Sequence, residues 1–370
     1  MIYFDYSANY PTKKEVLDCF MECEKNYIGN CNSTHLLGKL SYERYLKANA
    51  HIFELLNLDK EKYEIIYTSS ASESNNMVIK GLFESYKGYS SYFICSEFEH
   101  SSTNAALAYI KDKGAKVELV KTKNEGVINL NDLSEKCINK PILMCLNLVE
   151  SEVGKIQNYQ EVASIIHKNN GYLLLDATQG ITKFDFDLNC ADFISFAPHK
   201  FGGIIGIGCL IKRKDLILTP LIHGGKSLSI YRGSTPCLSL IVSTEKAIEL
   251  ALENKEKNFY KVSCLHEFLL SYLKQKKNIL INSFDENPYI VNISYTNVKA
   301  SKIIDYLNSK GICVSQKSAC SIANTPSKTI NAIYHDKQRA LSSFRISLSD
   351  LTTFDEIKEL IIALEEFKNE

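Results

Sequence analysis

The sequence carries no excess of either charge: 43 basic residues balance 43 acidic ones. That removes the electrostatic case for a nucleic-acid or anionic-membrane partner. No apolar run approaches the roughly 20 residues that a membrane-spanning helix needs. The opening segment, MIYFDYSANYP, has no basic stretch followed by an apolar one, so no export signal is evident and a cytoplasmic protein is expected. Cysteine is plentiful, at twelve, yet there is no CxxC pair and no zinc-like spacing. Cys19 and Cys23 could share a helix face, but two thiols do not make a metal site, and none is expected. Most of the cysteines read as reduced thiols packed as small hydrophobes. Internal repeats and low-complexity segments are also missing.

What is present is an ordinarily globular composition, 45% hydrophobic and 23% charged over 370 residues. That length suits two domains, or one large domain with an appendage. After a helical stretch at 12–25 and another at 41–58, strand and helix signals alternate. Strands are expected at 65–67, 92–95, 116–120, 141–148, 172–175 and 193–196, with helices between most of them. Short, nearly all-apolar strands in such an order predict a parallel sheet covered on both faces. From 239 to 273 the pattern turns long and helical. It then gives strands at 290–294, 312–314 and 344–348 and an amphipathic last helix at 354–367. The change of domain is placed near Glu253-Asn254-Lys255.

Ligands of parallel sheets gather at the carboxyl ends of the strands, and the chemistry-bearing residues of this chain fall there. Ser70 to Ser72 follow the first strand, at a strand-to-helix junction whose free amides could take a phosphate; the plain alternative is an N-cap. Glu99-His100, Glu150 to Glu152 and Asp176 to Gln179 follow later strands. Asp176 comes directly after three leucines, where a carboxylate is costly unless a cation is near. Lys200 follows Phe193–Phe196 in ISFAPHKFGGIIGIG, with His199 beside it and a glycine-rich backbone after it. Alone it could be a surface lysine after a core strand. Desolvated, its amine would become a nucleophile, and one use is a Schiff base to an aldehyde cofactor. A protonated pyridine nitrogen would be the partner Asp176 lacks.

Ten motifs then occur in order: YFDYSANYP, GNCNSTHLLG, IYTSSASESNNMVIKG, EFEH, ESEVGKIQ, LLLDATQG, ISFAPHKFGGIIGIG, YRGST, KSACS and SSFRISLS. Over almost its whole length the chain resembles the cysteine desulfurases, the NifS/IscS-like branch of the class V aminotransferase fold. The resemblance implies a fold type I pyridoxal 5'-phosphate enzyme of α/β class, with a mainly parallel seven-stranded sheet. The large cofactor-binding domain would span 14–254. A smaller α+β domain, from 1–13 and 255–370, would carry the catalytic-cysteine loop.

Carried over by position, the resemblance implies that Lys200 forms the Schiff base and moves protons at the substrate α-carbon. His100 would stack on the ring, Asp176 pair with its nitrogen and Gln179 meet its hydroxyl oxygen. Ala71, Ser72 and His199 would hold the phosphate, joined by Thr235 from the neighbouring subunit of a homodimer. Arg345, with Asn30, would hold the carboxylate of L-cysteine. Cys320 would take the sulfur as a persulfide, with L-alanine as the other product. A sulfur-acceptor protein, such as an iron–sulfur scaffold or a thiolation enzyme, would be the partner. Cys320 alone could be packing, but QKSACSIANTPS is a polar loop, and Lys317 nearby could favour the thiolate.

Several positions depart from the family's pattern. Ser151 replaces an asparagine that touches the ring hydroxyl, and Ala197 replaces a serine that holds the phosphate. Ser70 and Lys317 replace glycines, and Asp350 stands where an arginine is common. Two other readings stay open: a different reaction on the same cofactor, selenocysteine lyase or aminotransferase, or a degenerate dimer acting as a scaffold.

Overall fold

The computed structural model describes residues 1–225, 227–317 and 325–367. In chain order the strands are β1 (Ile2–Tyr3), β2 (Tyr63–Thr68), β3 (Tyr92–Ser96), β4 (Lys116–Val120), β5 (Leu143–Asn147), β6 (Tyr172–Asp176), β7 (Phe193–Phe196), β8 (Gly208–Arg213), β9 (Ile279–Ile281), β10 (Ile290–Tyr295), β11 (Ile312–Cys313) and β12 (Ser343–Ser347). Strands β2 to β8 make one seven-stranded sheet in the order β2-β8-β7-β6-β5-β3-β4. The pairs β3–β4, β3–β5, β5–β6 and β6–β7 are parallel. β8 runs antiparallel to both its neighbours, β2 and β7. The outcome is that β2 points the same way as β3 to β7. The chain leaves β2, β3, β5, β6 and β7 at a single edge of the sheet.

The sequence pattern did not separate β8 from the glycine-rich segment before it. The reason lies in GCLIKR: the strand opens on glycine and closes on two basic residues. Lys212 is nevertheless fully buried there. Its ammonium pairs with Glu64 at 2.8 Å and donates to the carbonyls of Arg213 and Leu216, which offsets the cost of burying the charge.

Helices cover the sheet on both faces. α1 (Lys14–Asn26) and α2 (Leu36–Leu55) precede β2, and α3 (Ala71–Tyr86), α4 (Ser101–Asp112), α5 (Leu130–Cys137) and α6 (Tyr159–Lys168) alternate with the strands from β2 to β6. The apolar signal at 239–273 is two helices, α7 (Leu238–Glu253) and α8 (Lys255–Leu273), separated by Asn254, whose ψ of 4° belongs to neither. A second core gathers Phe4, the inner face of α8 and residues from Ile279 to Leu364. It is built on the antiparallel order β12-β10-β9 and on a parallel pairing of β1 with β11. α9 (Ala300–Ser309) and α12 (Phe354–Glu366) complete it, while α10 (Lys328–Tyr334) and α11 (Lys337–Ser342) bury Ile330, Ile333 and Ala340 in a small cluster with Val153. The N-terminal segment crosses from this second core to the sheet edge: Ser347 N donates to Phe4 O, and Tyr10 N donates to His199 O at 2.9 Å.

Gly208, the first residue of β8, lets that strand pass against the turn after β2. A Cβ built there would stand 2.2 Å from Ser70 C and 2.6 Å from Ala71 N. Backbone cannot yield to such contacts as a side chain can. Gly208→Ala is therefore expected to destabilise the protein by about 1–3 kcal/mol in urea denaturation. It should also weaken any anion held by the amides after Ser70, read by equilibrium binding.

Candidate active site

At the strand edge a cavity of about 290 Å³ opens between the two cores. Ser70, the N-cap of α3, stands at its rim and accepts from Glu73 N at 3.2 Å. The first turn of α3, Ala71 and Ser72, lines the wall, and its amides have no partner inside the helix. His100 is the N-cap of α4. Its Nδ1 accepts from Ser102 N at 3.2 Å. An amide can only donate, so in the neutral ring the proton sits on Nε2. Burial, with a smaller contribution from Lys200, holds the His100 pKa below its ordinary value against the pull of Asp176. His199 is pushed down to about 4 by burial and by Lys200.

Asp176 ends β6, where its carboxylate accepts from Asn75 Nδ2 at 2.9 Å and Thr178 N at 3.1 Å. Lys200 lines the same cavity, three residues beyond Ala197, and donates to Ser7 O at 2.9 Å and Ala8 O at 2.6 Å. Gln179 Nε2 donates to the same Ser7 carbonyl at 2.9 Å. That bond turns Oε1 the other way. Arg345, on β12, is 1% exposed. Its Nη1 donates to Ser151 O at 2.7 Å, and its Nη2 pairs with Asp5 Oδ1 at 2.8 Å.

The cavity therefore collects Ala71, Ser72, His100, Ser151, Asp176, Gln179, His199, Lys200 and Arg345, all of them candidates from the sequence. It does not collect Thr235 or Asn30. Thr235 lines a separate cavity of about 140 Å³ with Ser69 and Arg232. Asn30 is exposed, and its Oδ1 accepts from Asn32 N at 2.9 Å. Cys320 lies outside the described residues. Ala197 lines the wall without a polar atom, as its substitution for serine requires. Ser151 also lines it, and the contact to Arg345 uses its carbonyl, which any residue would supply. Glu150 and Glu152 instead accept from the hydroxyls of Thr329 and Ser327. Burial raises both carboxyls.

Ser7, Ala8 and Asp5 were not singled out from sequence. Two of them act through backbone carbonyls, which leave no trace in residue type. Asp5 carried the only side-chain signal, an acid in an otherwise aromatic segment.

Pyridoxal 5'-phosphate can be tested against this cavity by its unmet polar atoms. Among the described residues, the buried side-chain atoms with no hydrogen-bond partner include Ser7 Oγ, Thr178 Oγ1, Gln179 Oε1 and Arg345 Nε. All four of those residues wall this one space. Native interiors rarely leave such groups unmet unless a ligand satisfies them. The donor set also suits the group: an amine for an aldehyde, a carboxylate for a pyridinium, and helix amides for a phosphate.

The class-V aminotransferase family model matches residues 2–360. The chain belongs to that family. Its members use pyridoxal 5'-phosphate, and the cavity described above fits that cofactor. The chain is 33% identical to "Cysteine desulfurase IscS" of Buchnera aphidicola subsp. Baizongia pistaciae, covering 96% of this chain and 90% of that one. It is 29% identical to the protein of the same name from Dictyoglomus turgidum, over 98% and 93%. Among solved structures, a NifS-like protein superposes with a TM-score of 0.91 at 28% identity, over 99% and 98% of the two chains. "SspA in complex with cysteine" superposes at 0.82 and 26%, over 95% and 100%.

The depressed histidines give this class-V chain a pH signature. The unfolded chain takes a proton on His199 as pH falls through 6.5, whereas the folded protein resists until about 4. Stability should be intact above that window and fall within it, with His100 acting in the same direction. In urea denaturation of the cofactor-free protein, His199→Gln should lose less stability than the parent across the same interval.

Proposed function

We propose that the protein is a cysteine desulfurase: with pyridoxal 5'-phosphate bound, it converts L-cysteine to L-alanine and retains the sulfur as a persulfide on Cys320. The observation that carries this is the convergence of Lys200, Asp176, His100 and Arg345, from four separated segments, on one cavity.

When bound, the cofactor supplies an electron sink for the bonds at the substrate α-carbon. Asp176 would hold the ring nitrogen's proton, and His100 would lie against the ring face as a neutral imidazole. The amides of Ala71 and Ser72, the Ser72 hydroxyl and His199 would receive the phosphate. Gln179 keeps an acceptor towards the cavity, so the ring hydroxyl would donate to it. Arg345 has its Nε and the remaining N–H groups of its planar fork to offer a substrate carboxylate. Its position is held by Asp5 and the Ser151 carbonyl. Lys200 Nζ, seated on two carbonyls, holds and moves the proton at the α-carbon. The Cys320 thiolate would attack the substrate sulfur. As the new S–S bond forms the carbon–sulfur bond breaks, its electron pair going to carbon, which takes a proton to become the methyl of alanine.

A homodimer is part of this reading. Thr235 lines a different cavity from the one its own chain's anchors wall, and would serve a partner's phosphate. Leu36, Leu37 and Leu40 leave an exposed apolar strip on the first turns of α2, a surface a second copy would cover. Asn30, just before that strip, would reach substrate only in such an assembly. The sulfur would pass from Cys320 to an acceptor protein, an iron–sulfur scaffold or a thiolation enzyme. No helix among the described residues is long and apolar enough to cross a membrane.

Lys200→Ala should lower alanine formation from cysteine about a thousandfold or more, the scale of a lost proton-transfer group. Arg345→Lys should raise KM for cysteine about ten- to a hundredfold, with a smaller effect on kcat. Cys320→Ala should leave no persulfide detectable by mass spectrometry after cysteine is added. Sulfide release by that variant at the parent rate would overturn the persulfide step.

A further inference from the structure

One buried side chain ties together Asp176 and His100, two residues of the cavity wall, and nothing in the reaction as described uses it. Asn75, on the second turn of α3, is 0% exposed. Its carboxamide has a partner in three directions. Nδ2 donates to Asp176 Oδ2 at 2.9 Å and to Ser102 Oγ at 3.2 Å. Oδ1 accepts from Ser195 Oγ, on β7, at 2.5 Å. The orientation of the amide is forced by chemistry, because an ionised carboxylate offers no hydrogen and so must face the NH₂ end. Ser102 Oγ stands 2.8 Å from His100 Nδ1. Nδ1 is already the acceptor of the Ser102 amide, so the hydroxyl donates to it as well. Polarity therefore runs in one sense, from Ser195 into Asn75, and from Asn75 out to Asp176 and, through Ser102, to His100.

We propose that Asn75 is the positioning residue of this active site: it aims the Asp176 carboxylate at the ring nitrogen and couples that aim to the placing of His100. The proposal rests on the reading that Asp176 faces the ring nitrogen. Asn75 is not among the residues that line the cavity. It acts through Asp176, whose other hydrogen bond among the described residues, from the Thr178 amide, holds only Oδ1. Without the Nδ2 donor, Oδ2 keeps no side-chain partner on the α3 side and the carboxylate is free to rotate. Buried networks of this kind fix geometry because each member has a single arrangement that satisfies it.

The test compares pyridoxal 5'-phosphate with its 1-deaza analogue, in which a C–H replaces the ring nitrogen. Affinity of the cofactor-free protein for each is measured by absorbance titration, and thermal unfolding of the same samples reports the fold. The parent should prefer the nitrogen-bearing form. Asn75→Leu fills the space, excludes water and offers no donor. It should reduce that preference about tenfold, the scale of a lost buried hydrogen bond to a charge, with affinity for the deaza analogue nearly unchanged. Should that variant fail to fold, Asn75→Ala and Ser195→Ala carry the test, and each should reduce the preference in the same direction. Equal losses for both ligands, or no loss, would overturn the proposal and leave Asn75 a packing residue. Asp176→Ala separates the two levels. If it abolishes the preference while the Asn75 variants keep it, only the role of Asn75 fails. If it leaves the preference intact, the assignment of Asp176 fails and this inference with it.

Discussion

A carboxylate, a guanidinium and an ammonium enclosed where two cores meet must each find a partner, and that requirement shapes the rest of the molecule. Asp176 is met by a carboxamide and an amide, Arg345 by Asp5 and a carbonyl, Lys200 by two carbonyls. None of the three is paired with another of the three. Each is satisfied from the wall behind it and keeps some capacity towards the cavity. Charges neutralising one another across the space would close it; charges held from behind leave it ready for a ligand that brings its own charges.

This arrangement depends on the N-terminal segment, which is short and has almost no regular structure. Phe4 anchors it in the second core, while Asp5, Ser7 and Ala8 supply partners to Arg345, Gln179 and Lys200. The segment is thereby a strap between the sheet and the smaller core, joined to both by hydrogen bonds and to the smaller core also by the packing of Phe4. The Arg345 side chain makes the same connection from the opposite side, since it stands on β12 and reaches Ser151 after β5. The position of the two cores relative to one another and the geometry of the cavity are thus set by the same contacts.

The departures from the family pattern look different once these contacts are known. Ser151 keeps the Arg345 contact through its carbonyl and gives up only side-chain reach. Ala197 offers the cavity no hydroxyl, so in the proposed reading the phosphate would rest on the α3 amides, Ser72 and His199. Asp350 accepts from the Tyr10 hydroxyl at 2.9 and 3.1 Å, so the acid is put to use holding the end of the strap. Nearby, burial and the charges of Lys200 and Arg345 push Lys183 down to about 7, with Asp350 opposing them. An acid at that point moderates a region already rich in cations.

The chain's own order of residues determined much of this. Alternating apolar strands and helices dictated a sheet with its loops at one edge. Ten ordered motifs pointed to the family and, through it, to nine residues that do wall the cavity. Those features are local: apolar periodicity and residue type are written along the chain. Tertiary structure alone decided which way β8 runs, because a strand that begins at glycine and ends in Lys212-Arg213 hides its burial until Glu64 is brought beside it. It also decided that Thr235 and Asn30 lie away from their own chain's cavity, and that Ser7 and Ala8 hold Lys200 through backbone oxygens common to every residue. Asn75 belongs to both levels. Its letter was in view within a quoted motif, but three partners drawn from α4, β6 and β7 exist only once the sheet has formed.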